Sequence, residues 1–178
     1  VAESDPLTGL ADRATVQRAL RHEAARHLHR EQPLAVVTLA IDQLERLRAG
    51  HGQHTCDAVI AELALQLRLM MRPADVVGHA GDGVFLVLLP YTTAQNAARW
   101  ARTVLAAVSR DDGLHPDTDE RLGVSAGMAM LGSGRLAADE VLQRAEDLCR
   151  AAQAAGGSSF RTDEPLAADL RPAALRLG

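Results

Sequence analysis

Between Arg72 and Pro90 the chain reads RPADVVGHAGDGVFLVLLP, and its chemically capable side chains are few. Arg72 and Asp75 form an Arg-x-x-Asp pair. An arginine offers a planar fork of donors that fits phosphate or a base edge, and an aspartate accepts from such an edge. The pair also has a plain local reading, since arginine suits the end of a helix and an aspartate readily begins a turn. Ten residues from Arg72, Asp82 stands between Gly81 and Gly83. Upstream, Asp42 follows an apolar run and Asp57 opens another.

The elements that must position these residues are legible from hydrophobic pattern. Val76 and Val77 on one side, and Val84, Phe85, Leu86, Val87, Leu88 and Leu89 on the other, flank the Gly-Asp-Gly tip, which predicts a hairpin stopped by Pro90. Its second arm is apolar almost throughout, so it is expected to be a central strand covered on both faces. Residues 34–41, LAVVTLAI, form a second apolar strand. Val16, Leu20, Ala24 and Leu28 are spaced for one buried helix face, and Val59, Ile60, Leu63, Leu67 and Met70 for another, ending before Arg72-Pro73. Residues 92–108 predict a helix with Ala97, Trp100, Ala101, Val104, Leu105 and Val108 inward and Arg99 and Arg102 on or near the other face. Residues 111–120 are polar and turn-rich, 122–130 alternate towards a strand, and 137–155 predict the last helix of the domain, with Asp139 and Glu140 near its start.

Aligned on Asp75, Phe85 and Leu89-Pro90, the hairpin resembles that of GGDEF domains, the diguanylate cyclases that condense two GTP into cyclic di-GMP. His79-Ala80-Gly81-Asp82-Gly83-Val84-Phe85 stands where that family carries Arg-x-Gly-Gly-Asp-Glu-Phe. The opening Asp5-Pro6-Leu7-Thr8-Gly9-Leu10-Ala11-Asp12-Arg13 is similar to the family's Asp-x-Leu-Thr-Gly-Leu-x-Asn-Arg, and residues 145–158 resemble its last helix. The resemblance covers roughly Asp5 to Phe160 and implies an α/β (α+β) fold. A central, mostly antiparallel sheet of about five strands is flanked by helices, similar to nucleotide cyclase and polymerase palm domains.

The same resemblance identifies what is missing. The family's strand Asp and its acidic signature pair hold divalent cations that bridge the triphosphate, and magnesium needs hard oxygen ligands. Here those positions are Ala40, Gly83 and Val84, with only Asp42 left on the strand. Arg48 replaces the Asn that reads guanine, while Asp57 matches the other guanine-reading carboxylate. Gln153 and Gly157 stand where Lys and Arg would contact phosphates. Asp82 lies one position early, and a one-residue shift along a strand turns a side chain to the other face, so it would substitute only across a bulge. Cyclase chemistry requires charge neutralisation at the transferred phosphoryl. The expectation is therefore no catalytic residue, no metal and no other cofactor.

One binding feature of the family persists. Arg72 and Asp75 fall at its inhibitory product site, where Arg and Asp grip cyclic di-GMP, with Arg99 or Arg102 as a second cation. The expected function is a catalytically inactive, regulatory GGDEF module in bacterial cyclic di-GMP signalling. The alternatives are a cyclic di-GMP receptor, or a weak GTP-binding or cyclase enzyme.

Length and composition agree with this. The 178 residues suit one domain, 47% are apolar, the formal charge is −4, and aromatics make up only 2%. Neither a basic balance nor an aromatic-arginine surface points to nucleic acid, and no apolar stretch reaches membrane-span length. A cytoplasmic location is expected, with Cys56 and Cys149 as reduced, buried thiols. Residues 1–162 are read as the domain and 163–178 as a linker. Residues 164–178, EPLAADLRPAALRLG, resemble the stretch that enters an EAL phosphodiesterase domain. An adjacent EAL domain, cyclic di-GMP and a second copy of the chain are the expected partners.

Overall fold

A computed structural model describes residues 3–109, 122–132 and 137–167. In chain order the elements are α1 (Arg13–Arg30), β1 (Leu34–Ile41), α2 (Leu44–His51), α3 (Gln53–Leu69), β2 (Val76–Gly81), β3 (Val84–Pro90), α4 (Ala94–Val108), β4 (Val124–Leu131), α5 (Ala138–Ala154) and β5 (Phe160–Thr162). The strands form one sheet in the order β2-β3-β1-β4-β5. β1 runs antiparallel to both neighbours, β2 antiparallel to β3, and β5 parallel to β4. This is the predicted mixed, mostly antiparallel five-stranded sheet.

The sheet is covered on both faces, and the pleat sorts its side chains between two cores. Ala35, Val37, Leu39, Phe85, Val87, Ala126 and Met128 pack with residues of α2, α3 and α4. Leu34, Val36, Leu86, Leu88 and Ala129 pack with Val16, Leu20 and Ala24 of α1 and Val141, Leu142 and Ala145 of α5. Every residue of β1 is buried. That explains its nearly uninterrupted apolar run, because a strand buried on both faces shows no alternation.

Two sequence expectations need correction. Leu28 is 53% exposed, and His27 is the buried residue at the end of the α1 stripe. The 11 steps from Val16 to His27 make just over three whole turns at about 3.6 residues each, whereas Leu28 overshoots by roughly a third of a turn. The buried His27 is accommodated by polar partners: its Nε2 lies 3.2 Å from Glu23 Oε2 and its Nδ1 3.3 Å from the Gln32 carbonyl. Met70 follows the last residue of α3 rather than belonging to it, and is partly buried against the core. The polar stretch 111–120 and residues 168–178 of the tail lie outside the described residues.

α5 lies unusually close to β4, and Gly127 permits it. A Cβ at this position would stand 2.2 Å from the Ala145 carbonyl oxygen and 2.3 Å from the Cys149 nitrogen. Both are backbone atoms of a buried helix and have little freedom to retreat. Gly127→Ala is therefore expected to lower stability by about 2 kcal/mol or more, read as a reduced urea midpoint.

Candidate functional site

Three groups of residues lie where the sequence places chemistry, and each is held by different elements. The first surrounds the hairpin. Asp82 and Gly83 form the two-residue link between β2 and β3, with φ of 49° and 72°. Positive φ at both positions is what a type I′ hairpin turn requires, and Asp-Gly is a preferred pair for it. A bulge interrupts β2 between His79 and Gly81, whereas β3 pairs with β1 in unbroken register. The bulge does not carry Asp82 to the positions of Ala40 and Val84: its side chain is 84% exposed and contacts Arg48 Nη2 at 3.2 Å.

At those positions Ala40 of β1 and Val84 of β3 face one another as register partners. They border a cavity of about 110 Å3 shared with Arg13, Glu146 and Gln153. Arg13 donates to both Glu146 oxygens, at 2.7 and 3.2 Å. Gln153 Nε2 donates to the Ile41 carbonyl at 3.4 Å. These residues do not fit a divalent cation. The paired positions are hydrocarbon, the carboxylate present is committed to Arg13, and an amide N–H points at the nearest strand carbonyl. Among the described residues no three of His, Cys, Asp and Glu converge as a metal site would need.

Asp42, the surviving strand aspartate, is 7% exposed and serves as a knot between elements. It accepts from Ser125 Oγ at 2.9 and 3.1 Å and from the Ser158 backbone N–H at 2.7 Å. Its own N–H donates to the Gly123 carbonyl at 2.9 Å. Gly157 closes over this carboxylate with φ of 79°. Asp42 thus ties β1, β4 and the turn after α5 together rather than presenting oxygens to a ligand.

The second group lies on α2 and α3. Arg48 contacts Glu45 and Asp82 and donates to Gln53 Oε1 at 2.7 Å, and Gln53 Nε2 donates to Asp57 Oδ1 at 2.7 Å. The hydrogen bond to Glu45 raises the pKa of Arg48 further above its ordinary range. Arg48 and Asp57, the two base-reading positions singled out in the sequence, are therefore bridged to each other by Gln53. Sequence reasoning missed Gln53; its only signal was a polar residue four positions before Asp57.

A third group surrounds Arg72. Arg72 donates through its backbone N–H to Asp75 Oδ2 at 2.8 Å and through Nη2 to Asp75 Oδ1 at 3.1 Å, Thr92 Oγ1 at 2.6 Å and the Pro90 carbonyl at 3.2 Å. The Asp75 side chain is only 2% exposed, whereas that of Arg72 is 56% exposed. Beside them a cavity of about 440 Å3 is bordered by Thr92 and Leu89 and, on α4, by Asn96, Arg99 and Trp100. Its volume is that of a small-molecule site. Arg99 joins Arg72 here. Arg102 does not: its guanidinium lies 5.3 Å from the Phe160 ring centroid, near β5. Three residues along a helix fall about 60° short of a full turn, so Arg102 projects to one side of Arg99, towards β5.

The opening motif is tied to the hairpin. Asp5 accepts from the Thr8 N–H and hydroxyl at 2.8 and 2.7 Å. His79 Nδ1 lies 3.1 Å from Asp5 Oδ2, and its Nε2 accepts from the Gly83 N–H at 3.2 Å. Burial pushes the Asp5 carboxyl upward, but the bonds from Thr8 and the neighbouring His79 outweigh it and hold its pKa below the ordinary value.

A mixed sheet with antiparallel centre, two helical layers and a glycine-tipped hairpin at one strand end defines a three-layer α/β domain. Residues 2–159 match the family described as diguanylate cyclase, GGDEF domain, and the chain belongs to that family. It is 29% identical over 92% of its length to the probable diguanylate cyclase DgcE of Escherichia coli strain K12. It is 30% identical over 87% of its length to the diguanylate cyclase DgcP of Pseudomonas aeruginosa. It spans only 15% and 23% of those two proteins. The fold superposes with a TM-score of 0.81 on the GGDEF domain of DgcB from Caulobacter crescentus, solved in complex with c-di-GMP, at 23% identity and covering 91% of this chain and 96% of that one.

Two expected outcomes follow from the Asp42 knot and its surroundings. Asp42→Ala leaves the Ser158 N–H and Ser125 hydroxyl without their acceptor and is expected to cost about 3 kcal/mol in urea unfolding. Cys149 is 2% exposed; burial, with Asp42 and Glu146 adding to it, pushes its thiol up from 9.0 to about 12. The folded state therefore keeps a proton that the unfolded chain releases. Its contribution is fully present below pH 9 and is lost between 9 and about 12, by up to roughly 1 kcal/mol per pH unit. Unfolding titrations across that range check the slope, which should flatten in Cys149→Ala.

Proposed function

We propose that this chain is a catalytically inactive GGDEF domain that acts as a regulatory module in cyclic di-GMP signalling. The observation that carries this reading is the pairing of Ala40 with Val84, two hydrocarbon side chains in register where the reaction needs ligands for cations. The Gln153 amide at the Ile41 carbonyl and the Arg48-Gln53-Asp57 chain support it further. Phosphoryl transfer without charge neutralisation loses its main source of rate. Residues 164–178 resemble the approach to an EAL domain, so an adjacent phosphodiesterase domain is the partner this module would adjust, with self-association as a second route for the signal.

The Arg72 cavity favours a second role within the first, reception of cyclic di-GMP. Arg72 and Arg99 provide two cations at its wall, and a co-crystal of the similar DgcB domain holds the same ligand. Isothermal titration calorimetry with cyclic di-GMP should show binding that weakens at least tenfold in Arg72→Ala, because charge-assisted bonds to phosphate are lost. GTP with magnesium should yield no cyclic di-GMP by chromatography. Sustained product formation from GTP would sink the inactive reading. Calorimetric silence with cyclic di-GMP would remove the receptor role and leave a module that works through protein contacts.

A further inference from the structure

We infer that residues 163–167 form a latch: they dock on α4 and α5 as part of the domain and release as one unit while the sheet stays folded. The latch sets where the chain beyond Ala167 leaves the domain. The inference rests on the regulatory reading above and names a device by which a module without catalysis would pass on its state.

The segment begins where the sheet ends. β5 pairs with β4 from Phe160 against Ala126 to Thr162 against Met128. The Thr162 hydroxyl then donates to the Met128 carbonyl at 2.9 Å and accepts from the Glu164 N–H at 3.1 Å. A threonine used in this way turns the backbone out of a strand. Arg144 of α5 donates through Nε to Asp163 Oδ2 at 2.6 Å. Leu166 is 3% exposed, between Pro165 and Ala167, which are both exposed. The Ala167 N–H donates to Gln95 Oε1, in the first turn of α4, at 2.9 Å. Further along the same helix, Arg102 lies 5.3 Å from the Phe160 ring centroid. The chain from Phe160 to Ala167 therefore runs back along α4 towards its start. With the latch closed the chain leaves from the beginning of α4; with it open, from the end of β5.

The same attachments make the segment separable. The Arg144 and Asp163 side chains are 45% and 58% exposed, and an exposed ion pair holds weakly. Cavities of about 420 and 340 Å3 adjoin the segment, the first bordered by Met128, Met130 and Arg144, the second by Arg102 and Arg161. Leu148 and Asp163 border both. One buried leucine and a few exposed bonds are the marks of a region that opens locally while the core stays closed.

The experiment follows amide hydrogen exchange by NMR in the whole chain, as wild type, Gln95→Ala and Leu166→Ala, with trypsin cleavage after Arg161 as a second readout. In wild type the Glu164 and Ala167 amides are expected to exchange at least tenfold slower than in an unstructured peptide, and to open together without the β1 amides. Leu166→Ala should speed both amides by about tenfold or more, and Gln95→Ala by about threefold. Cleavage should accelerate in step, while the β1 amides keep the wild-type pattern. If Leu166→Ala lowers global stability, the surface change Gln95→Ala decides. Exchange of Ala167 at the unstructured rate in wild type, or a Gln95→Ala variant indistinguishable from wild type, overturns docking on α4. Exchange of the segment only together with β1 overturns the latch, because the segment would then be a fixed part of the core. Product from GTP, by contrast, sinks the inactive reading alone.

Discussion

The double antiparallel pairing of β1 is the constraint on which the rest of the fold depends. All eight of its residues are buried, and its backbone is paired with β3 on one side and β4 on the other. With no water available to its peptide groups, neither neighbour can slip without orphaning donors and acceptors in the interior. The register also decides which side chains meet, and it sets Ala40 against Val84. Each helical layer is fixed by the same strand, because alternate residues of β1 feed the two cores. Position at the strand end is thus dictated by packing many residues away, whatever chemistry the end residues possess.

Hydrocarbon side chains at this strand end, Ala40 against Val84, are consistent with that framework. Two carboxylates close together without a cation repel one another, and burying either costs free energy. Val84 is partly buried against the core that packs α1 and α5 onto the sheet, and its register partner Ala40 is buried. The polar residues nearby are paired within the chain: Asp42 with Ser125 and Ser158, Glu146 with Arg13, and, at the surface, Asp57 with Gln53.

The fold was legible in the sequence because apolar runs and breaks report burial directly. The runs at 34–41 and 84–89 became the buried strands β1 and β3, and Asp12 caps α1 by accepting from the Thr15 N–H. Leu28 departs from the buried stripe because steps of four overshoot the 3.6-residue turn, and the drift accumulates over three turns. At the site, residue identity was readable but connection was not. Nothing in one dimension shows that Gln53 joins Arg48 to Asp57, that Trp100 reaches the Met70 carbonyl, or that Arg99 and Arg102 part company across α4. Such contacts depend on how helices sit on the sheet, which the periodicity of each helix leaves open.

Gly157 makes this arrangement exclusive. With φ of 79°, and with a Cβ there destined to lie 2.7 Å from Asp42 Oδ2, the turn after α5 has closed around the aspartate in a form that side chains resist. An arginine arriving at 157 by mutation would meet strained backbone and an occupied carboxylate before it met any phosphate. The tightness that lets the Ser158 N–H reach Asp42 thus bars side chains from position 157.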